Sequence, residues 1–141
     1  MHHILHIHRP DHLNAEALKA LVRNVTTGTD PQCREDAGIL EDVLSSFQAY
    51  VDAVVHGETQ LLLHGPDPDG TQYREMVSQY DQHRHGCHEA AIINVKLLNR
   101  LAAMYGVEPV FTGDCSQRHQ VADFCLEITA YFFRNRRMKL S

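Results

Sequence analysis

The sequence lacks several features that would place a chain quickly in a functional class. No apolar run approaches the roughly 18 residues of a membrane-spanning helix, so a transmembrane protein is excluded. There is no C-x-x-C pair, no H-E-x-x-H motif and no repeated Glu-x-x-His motif, so no strong template for a zinc or di-iron site is present. The N-terminus lacks the basic region and long apolar run of a signal peptide. With four widely spaced cysteines, this predicts a cytoplasmic protein with free thiols.

The composition is that of one ordinary globular domain. The 141 residues are 43% hydrophobic and 22% charged, which excludes a disordered chain and predicts a single domain over residues 1–141. The net charge of −5 is uneven, because residues 1–70 hold four Lys/Arg against eleven Asp/Glu. Such a surface repels a phosphate backbone, so a nucleic-acid partner stays open but is not favoured. The basic residues beyond Arg134 fit a helix end.

Apolar residues recur at helical spacing along most of the chain, so we predict an all-α protein, an up-and-down bundle of four to five helices. Asp30 and Pro31 are typical of a helix start, Gly57 of a helix end, and Gly86 of a weak point inside a long helix. Residues 1–10 are expected to be disordered or to form a short strand. The helices are expected at about 11–25, 30–57, 71–105 and 116–137.

Polar residues interrupt the apolar stripe of the third predicted helix. On a helical wheel the stripe contains Tyr73, Val77, Tyr80, Ala91, Val95, Leu98 and Ala102. Arg84 falls in its middle, and Asp81, His88 and Asn99 fall beside it. These four side chains form either a buried polar knot that fixes the helix register or the lining of a pocket. Arg118, which borders the apolar stripe of the last helix, is placed to reach them.

Eleven histidines invite a metal hypothesis. The nearest candidate ligands are His85, Cys87, His88, Cys115 and His119. They match no ligand spacing and point in different directions on their helices, so we predict no metal site. The sequence leaves the cofactor unknown. Five N-terminal histidines, from His2 to His12, are suited to incidental metal binding. His119, Asp123 and Glu127 form a row on the polar face of the last helix, where solvated residues are expected.

Two resemblances add to this interpretation. The segment Arg84-His85-x-x-His88 resembles the Arg-polar-x(n)-His signature of HEPN domains, small helical bundles that include RNA-cleaving toxins and nucleotide-binding partners. Three residues separate Arg84 and His88 here, where the family usually has four to six, and on a helix this spacing still places both on one face. That resemblance implies a metal-independent ribonuclease in which His88 transfers protons and Arg84 stabilises the phosphate. More broadly, a string from Tyr73 to Arg137 resembles an uncharacterised family of small helical bacterial proteins, a domain of unknown function. Its elements include Leu98-Asn99-Arg100, Gly113-Asp114 and Val121-Ala122-Asp123-Phe124.

Apolar residues also lie outside the main stripes, on the third helix at Ile93, Leu97, Leu101 and Met104 and on the last at Leu126 and Phe133. A helix that is apolar over most of its circumference is central to a domain or packs against a partner. We therefore predict a cytosolic binding or regulatory protein that self-associates or binds another protein. The alternatives are the ribonuclease that uses Arg84 and His88, and a metal-binding helical bundle.

Overall fold

The part of the chain that the structure describes folds as four α-helices. The computed structural model describes residues 12–64 and 70–134. The helices are α1 (Ala15–Thr26), α2 (Pro31–His64), α3 (Thr71–Met104) and α4 (Arg118–Arg134). Outside the helices, the described residues form a single isolated antiparallel bridge, between Leu13 and Phe111. The all-α prediction is confirmed, whereas the segment 1–10 and the basic residues beyond Arg134 lie outside the described residues.

Side chains fix the first turns of α1 and α2. Asn14 caps α1, because its Oδ1 accepts a hydrogen bond from the Ala17 amide at 3.1 Å, so the helix starts later than the expected position 11. Asp30 accepts from the Cys33 amide at 2.9 Å, and this bond lowers the pKa of the Asp30 carboxyl. Pro31 is the first residue of α2, as its fixed φ predicts.

The two central helices are longer than the glycine pattern predicts. Helix α2 does not end near Gly57 but continues to His64, and α3 runs without interruption through Gly86. Gly57 is a point of close approach, because a Cβ there would overlap the ring of Tyr80 on α3. Gly86 is exposed and open on its outer side, and the cost of about 1 kcal/mol for one interior glycine does not interrupt a helix of 34 residues.

The core lies between α1, α4 and only part of the α2–α3 hairpin. The rings of Phe47 on α2 and Phe111 both meet Phe124 of α4 edge-on, with centroids 5.4 and 5.1 Å away. Four members of the predicted α3 stripe are fully buried, namely Ala91, Val95, Leu98 and Ala102. Leu101, which the wheel places outside the stripe, is buried as well, so the central position of α3 accounts for part of its wide apolar arc.

Two polar anchors hold the irregular segments against this core. Asn99 Oδ1 accepts hydrogen bonds from the amides of Val110 at 2.8 Å and Phe111 at 3.0 Å, and its Nδ2 donates to the Phe111 carbonyl at 2.9 Å. The connection from α3 to α4 therefore runs back along α3. Glu127, expected on a solvated face, is half-buried and accepts from the amides of His12 and Leu13, both at 2.9 Å.

Another buried carboxylate joins the start of α2 to the end of α3. Asp36 is 3% exposed and accepts a hydrogen bond of 2.6 Å from the Tyr105 hydroxyl. That bond raises the pKa of the Tyr105 phenol, since the neutral phenol is the donor. Gln32 donates to the other carboxylate oxygen at 3.1 Å, so both oxygens of this buried group are satisfied.

The outer part of the α2–α3 hairpin has no comparable core. We call residues 51–64 and 71–87 the hairpin arm; its α3 portion alone extends about 25 Å at 1.5 Å per residue. None of the described residues of the arm is buried. Tyr50 is the last buried residue of α2 and His88 the first buried residue of α3, so this pair marks the boundary. None of the described helices is long and apolar enough to cross a membrane.

Candidate functional site

A cleft of about 480 Å³ opens where the arm leaves the core, between α2, α3 and α4. Its lining combines cationic, imidazole and phenol groups with a single carboxylate: Tyr50, Asp81, Arg84, His85, His88, Arg118, His119 and Ala122. The α3 members fall at helical spacings of three and four residues, which brings them to one side of the helix. The cleft thus contains the predicted pair Arg84 and His88 together with the predicted neighbours Asp81 and Arg118.

Arg84, which the helical wheel places in the middle of the α3 stripe, is not buried. Its side chain is 48% exposed, and the nearest carboxylate oxygen, of Asp81, lies 3.8 Å from its Nη2. The guanidinium carbon also lies 5.8 Å from the centroid of the Tyr80 ring, within range of a cation–π contact. Because α4 begins beside His85 and Glu89, no described helix covers the α3 stripe at Arg84. Asp81, Arg84 and His88 therefore line an open cleft and do not form a closed, buried polar cluster.

His88 is the buried polar residue of the cleft, at 5% exposure. Its Nδ1 is 3.5 Å from the Tyr50 hydroxyl, and its Nε2 is buried with no hydrogen-bond partner among the described residues. Burial lowers the pKa of His88, and the positive charge of Arg118 lowers it further. Burial also raises the pKa of the Tyr50 phenol. The imidazole is therefore neutral near pH 7, which is the form that accepts a proton.

Arg118, the first residue of α4, joins that helix to α3. Its Nη2 lies 2.9 Å from His85 Nδ1 and 3.8 Å from Glu89 Oε2. The side chain is 55% exposed, so the guanidinium remains open to a ligand. The sequence placed Arg118 within reach of α3, and the structure shows contacts with His85 and Glu89, neither of which was expected as its partner.

Asn99 does not reach the cleft. It lies about 16 Å along α3 from His88, at 1.5 Å per residue, and its amide holds the α3–α4 connection. The residue that sequence reasoning missed is Tyr50. It follows Phe47 by one helical turn in the buried stripe of α2, and a phenol at such a position needs a polar partner, here His88.

The candidate metal ligands are not assembled into a site. His85, His88 and His119 line the cleft, whereas Cys87 and Cys115 do not. The Cys87 thiol lies instead 3.7 Å from His83 Nε2, one turn away on the same helix. Within residues 12–64 and 70–134, no group of three or more His, Cys, Asp or Glu side chains is arranged to hold a metal ion. The four cysteines, all within these ranges, form no disulfide.

The cleft brings arginine and histidine side chains together in an acidic protein. Two guanidiniums from different helices and three imidazoles line it with the Asp81 carboxylate, and Glu89 lies 3.8 Å from Arg118, in a chain whose net charge is −5. Guanidinium groups bind carboxylates and phosphates through paired hydrogen bonds, and a neutral imidazole accepts protons. The arrangement is therefore suited to an anionic ligand, and His88 lies at its base with Nε2 buried.

The fold and the site define a small all-α bundle with a cleft lined by arginine and histidine between three helices. The chain belongs to the family described as "Protein of unknown function (DUF3232)", whose model matches residues 1–138. This confirms the predicted membership of an uncharacterised family, while the HEPN resemblance and the bacterial origin stay predictions. No curated protein and no solved structure matches the chain.

Proposed function

We propose that this protein is a small binding module whose cleft takes an anionic ligand that carries phosphate. The observation that carries the proposal is the convergence of Arg84 from α3 and Arg118 from α4 on one cleft above the buried His88. Both guanidiniums are about half exposed, so a ligand can reach them without unfolding either helix. The volume is that of a small-molecule site.

Phosphate suits this lining better than a carboxylate ligand does. A phosphate group offers several acceptor oxygens, so it can bind guanidiniums from two helices at once. Tyr50 and Ala122 add an aromatic and an aliphatic wall for the remainder of the ligand. Asp81 and Glu89 reduce the positive charge of the two arginines, which favours moderate affinity and easy release.

The test is calorimetric titration of the full chain with inorganic phosphate, pyrophosphate and adenosine monophosphate. Arg84→Ala and Arg118→Ala should each weaken binding by about tenfold or more, since a charge-assisted hydrogen bond is removed. Arg34→Ala is the matched control, because Arg34 is an exposed arginine in the first turn of α2, far from the cleft. Equal weakening in all three variants would indicate unspecific attraction, and the absence of binding by the wild type would end the proposal.

Metal-independent RNA cleavage is a second candidate, favoured by the neutral, buried His88 beside an open cleft. In such a reaction the imidazole removes the proton of the ribose 2′-hydroxyl, whose oxygen attacks the phosphorus, and the bond from phosphorus to the 5′ oxygen breaks. The leaving 5′ oxygen takes its proton from the imidazolium or from water, while Arg84 or Arg118 stabilises the charge that develops on the phosphate. The cleft supplies both groups without a metal ion. The acidic charge of the chain disfavours tight binding of long RNA, so short substrates are the better choice.

Cleavage of short RNA oligonucleotides in the presence of EDTA tests this candidate. His88→Gln should abolish activity while preserving the helical circular-dichroism spectrum, because the amide cannot act as a base. His83→Gln provides the control, since His83 is exposed on α3 outside the cleft lining. An intact oligonucleotide after long incubation with wild-type protein would contradict it.

Self-association is supported by apolar side chains that the fold leaves exposed. Ile93 is 66% exposed and Met104 62% exposed, and Leu126 of α4 is half exposed. Leu101 is buried in the core, so only part of the predicted outer arc is available to a partner. Light scattering over a range of concentrations tests this, and a single monomeric species throughout would contradict it. The metal-binding alternative gains no support within the part of the chain that the structure describes.

A further inference from the structure

The core stripe of the bundle continues along the hairpin arm, where α2 and α3 cover each other only in part and no further described helix packs against them. Tyr73, Val77 and Tyr80 extend the α3 stripe, and Val54 and Leu61 extend the buried stripe of α2; all five are half-buried. Helix α4 begins beside His85 and therefore does not run along the arm. Helix α1 lies at the C-terminal end of α3, away from the arm. The amide of its capping residue Asn14 donates to the Val110 carbonyl, and the Asn24 side chain donates to the Tyr105 carbonyl.

A two-helix hairpin cannot bury an apolar stripe by itself. Stable helical layers need a further element against the stripe, and isolated helices of this length gain most of their stability from such packing. The most exposed large apolar side chains among the described residues are also in the arm, namely Leu62 at 84% and Leu63 at 73%. The arm therefore resembles half of a four-helix bundle.

We infer that the arm packs, antiparallel, against the arm of a second copy of this chain, so that two hairpins form a four-helix bundle. This inference rests on the self-association proposed above and adds to it a surface other than the face that carries Ile93, Met104 and Leu126. A two-fold axis closes such a dimer, and the same surface is used on both copies. Ile93, Met104 and Leu126 lie outside the arm, so other faces of the protein remain distinct from this contact.

The charges beside the stripe favour a second copy as the occupant. Arg74 and Asp81 fall on the same side of α3 as Val77, one turn before it and one turn after it, and both are exposed. A two-fold axis between Val77 and Ser78 brings Arg74 of one copy opposite Asp81 of the partner subunit, and the reverse pair forms at the same time. Such flanking ion pairs set the orientation and register of packed helices.

The local contacts leave both groups able to form these pairs. Arg74 donates through Nε to the Gly70 carbonyl at 3.1 Å, which leaves its terminal nitrogens. Asp81 lies only loosely against Arg84, at 3.8 Å, and a carboxylate accepts several hydrogen bonds. The strip Arg74, Val77, Asp81 is thus self-complementary under a two-fold rotation: cation against anion, with apolar groups at the axis.

Sedimentation velocity of the full chain, with charge reversals, tests the inference. Arg74→Glu and Asp81→Lys should each raise the dimer dissociation constant by about tenfold, because each places like charges at two symmetry-related positions. The double variant Arg74→Glu/Asp81→Lys should restore dimerisation. Arg100→Glu is the control, an exposed arginine on α3 outside the arm. Circular dichroism should show equal helix content in all variants.

The outcomes distinguish dimerisation through the arm from self-association through another face of the protein. A dimer that tolerates both single reversals as well as it tolerates Arg100→Glu would overturn the arm contact and leave self-association standing through another face. A wild-type chain that stays monomeric at all concentrations would overturn both. Failure of the double variant to recover, with both singles impaired, would reject the antiparallel register with Arg74 opposite Asp81.

Discussion

The inner bundle and the hairpin arm are made from the same two helices but differ in what covers them. Around Phe47 and Leu98 the apolar stripes of α2 and α3 meet α1 and α4, and side chains there have no exposed surface. Beyond Tyr50 and His88 the stripes continue at the same helical spacing, yet none of the described residues is buried. The comparison shows that an apolar stripe marks where a helix can be buried. Whether it is buried depends on a further helix, here α1 or α4, that packs against the α2–α3 pair.

The candidate site lies where these two regions meet, and this position explains its chemistry. His88 belongs to the last covered turn, so burial lowers its pKa. Arg84, one turn further along α3, belongs to the uncovered region and keeps half its side chain in solvent. A neutral base and a solvated cation therefore occur side by side on one helix, which is an arrangement that neither region alone would provide.

The largest expected difference between the regions concerns truncation of an apolar side chain. Phe47→Ala should lower the free energy of unfolding by about 3–5 kcal/mol, because Phe47 is fully buried and its removal leaves a cavity. Leu62→Ala in the arm should change it by less than about 0.5 kcal/mol in the monomer, since Leu62 is 84% exposed. Urea unfolding followed by circular dichroism measures both. Similar losses for the two variants would mean that the arm is covered in solution.

A polar anchor of the inner bundle gives the next largest effect. Asn99→Ala removes hydrogen bonds to the Val110 and Phe111 backbones and leaves buried backbone groups unpaired, at a cost of about 2–3 kcal/mol. Asn94→Ala is the control on the same helix, because the Asn94 amide bonds to the Ala90 carbonyl one turn back within α3 itself. The same urea titration compares them. An Asn99→Ala variant as stable as Asn94→Ala would show that the connection is held by its apolar residues alone.

Sequence periodicity predicted the helices well because their stripes are long, and the buried set Ala91, Val95, Leu98 and Ala102 follows directly from spacing. The spacing of apolar residues within each helix does not determine where α4 packs against α3. That position buries His88 but not Arg84, and it makes Arg118 meet His85 and Glu89. The end of α2 was misplaced for a related reason, since Gly57 accommodates the Tyr80 ring of another helix and does not end its own.

The pH dependence of stability should also divide along this boundary. Because the folded protein lowers the pKa of His88 below the ordinary 6.5, the unfolded chain binds a proton more readily, so stability is full above about pH 6.5 and falls as the pH is lowered. His88→Asn should remove the loss of stability at low pH that comes from protonation of His88. His83→Asn, at an exposed position of the arm, should leave it unchanged. Thermal unfolding between about pH 5 and 8 provides the measurement. Parallel curves for wild type and His88→Asn would contradict the assignment of a neutral, buried His88.

The smallest expected effect comes from replacing one glycine by alanine in each of the two regions. Gly38 in the inner bundle and Gly86 in the arm are both exposed helical glycines, and a Cβ at either position would meet no described atom within 4 Å, so alanine fits at each. Alanine stabilises an exposed helix interior by about 0.5–1 kcal/mol relative to glycine. If the arm opens separately from the core, Gly38→Ala should raise the global unfolding free energy, whereas Gly86→Ala should mainly slow amide exchange within residues 71–87. If both variants gain the same global free energy of unfolding, the arm and the inner bundle unfold as one unit. Tyr50 and His88 would then mark the point where burial ends, but the two regions would still unfold together.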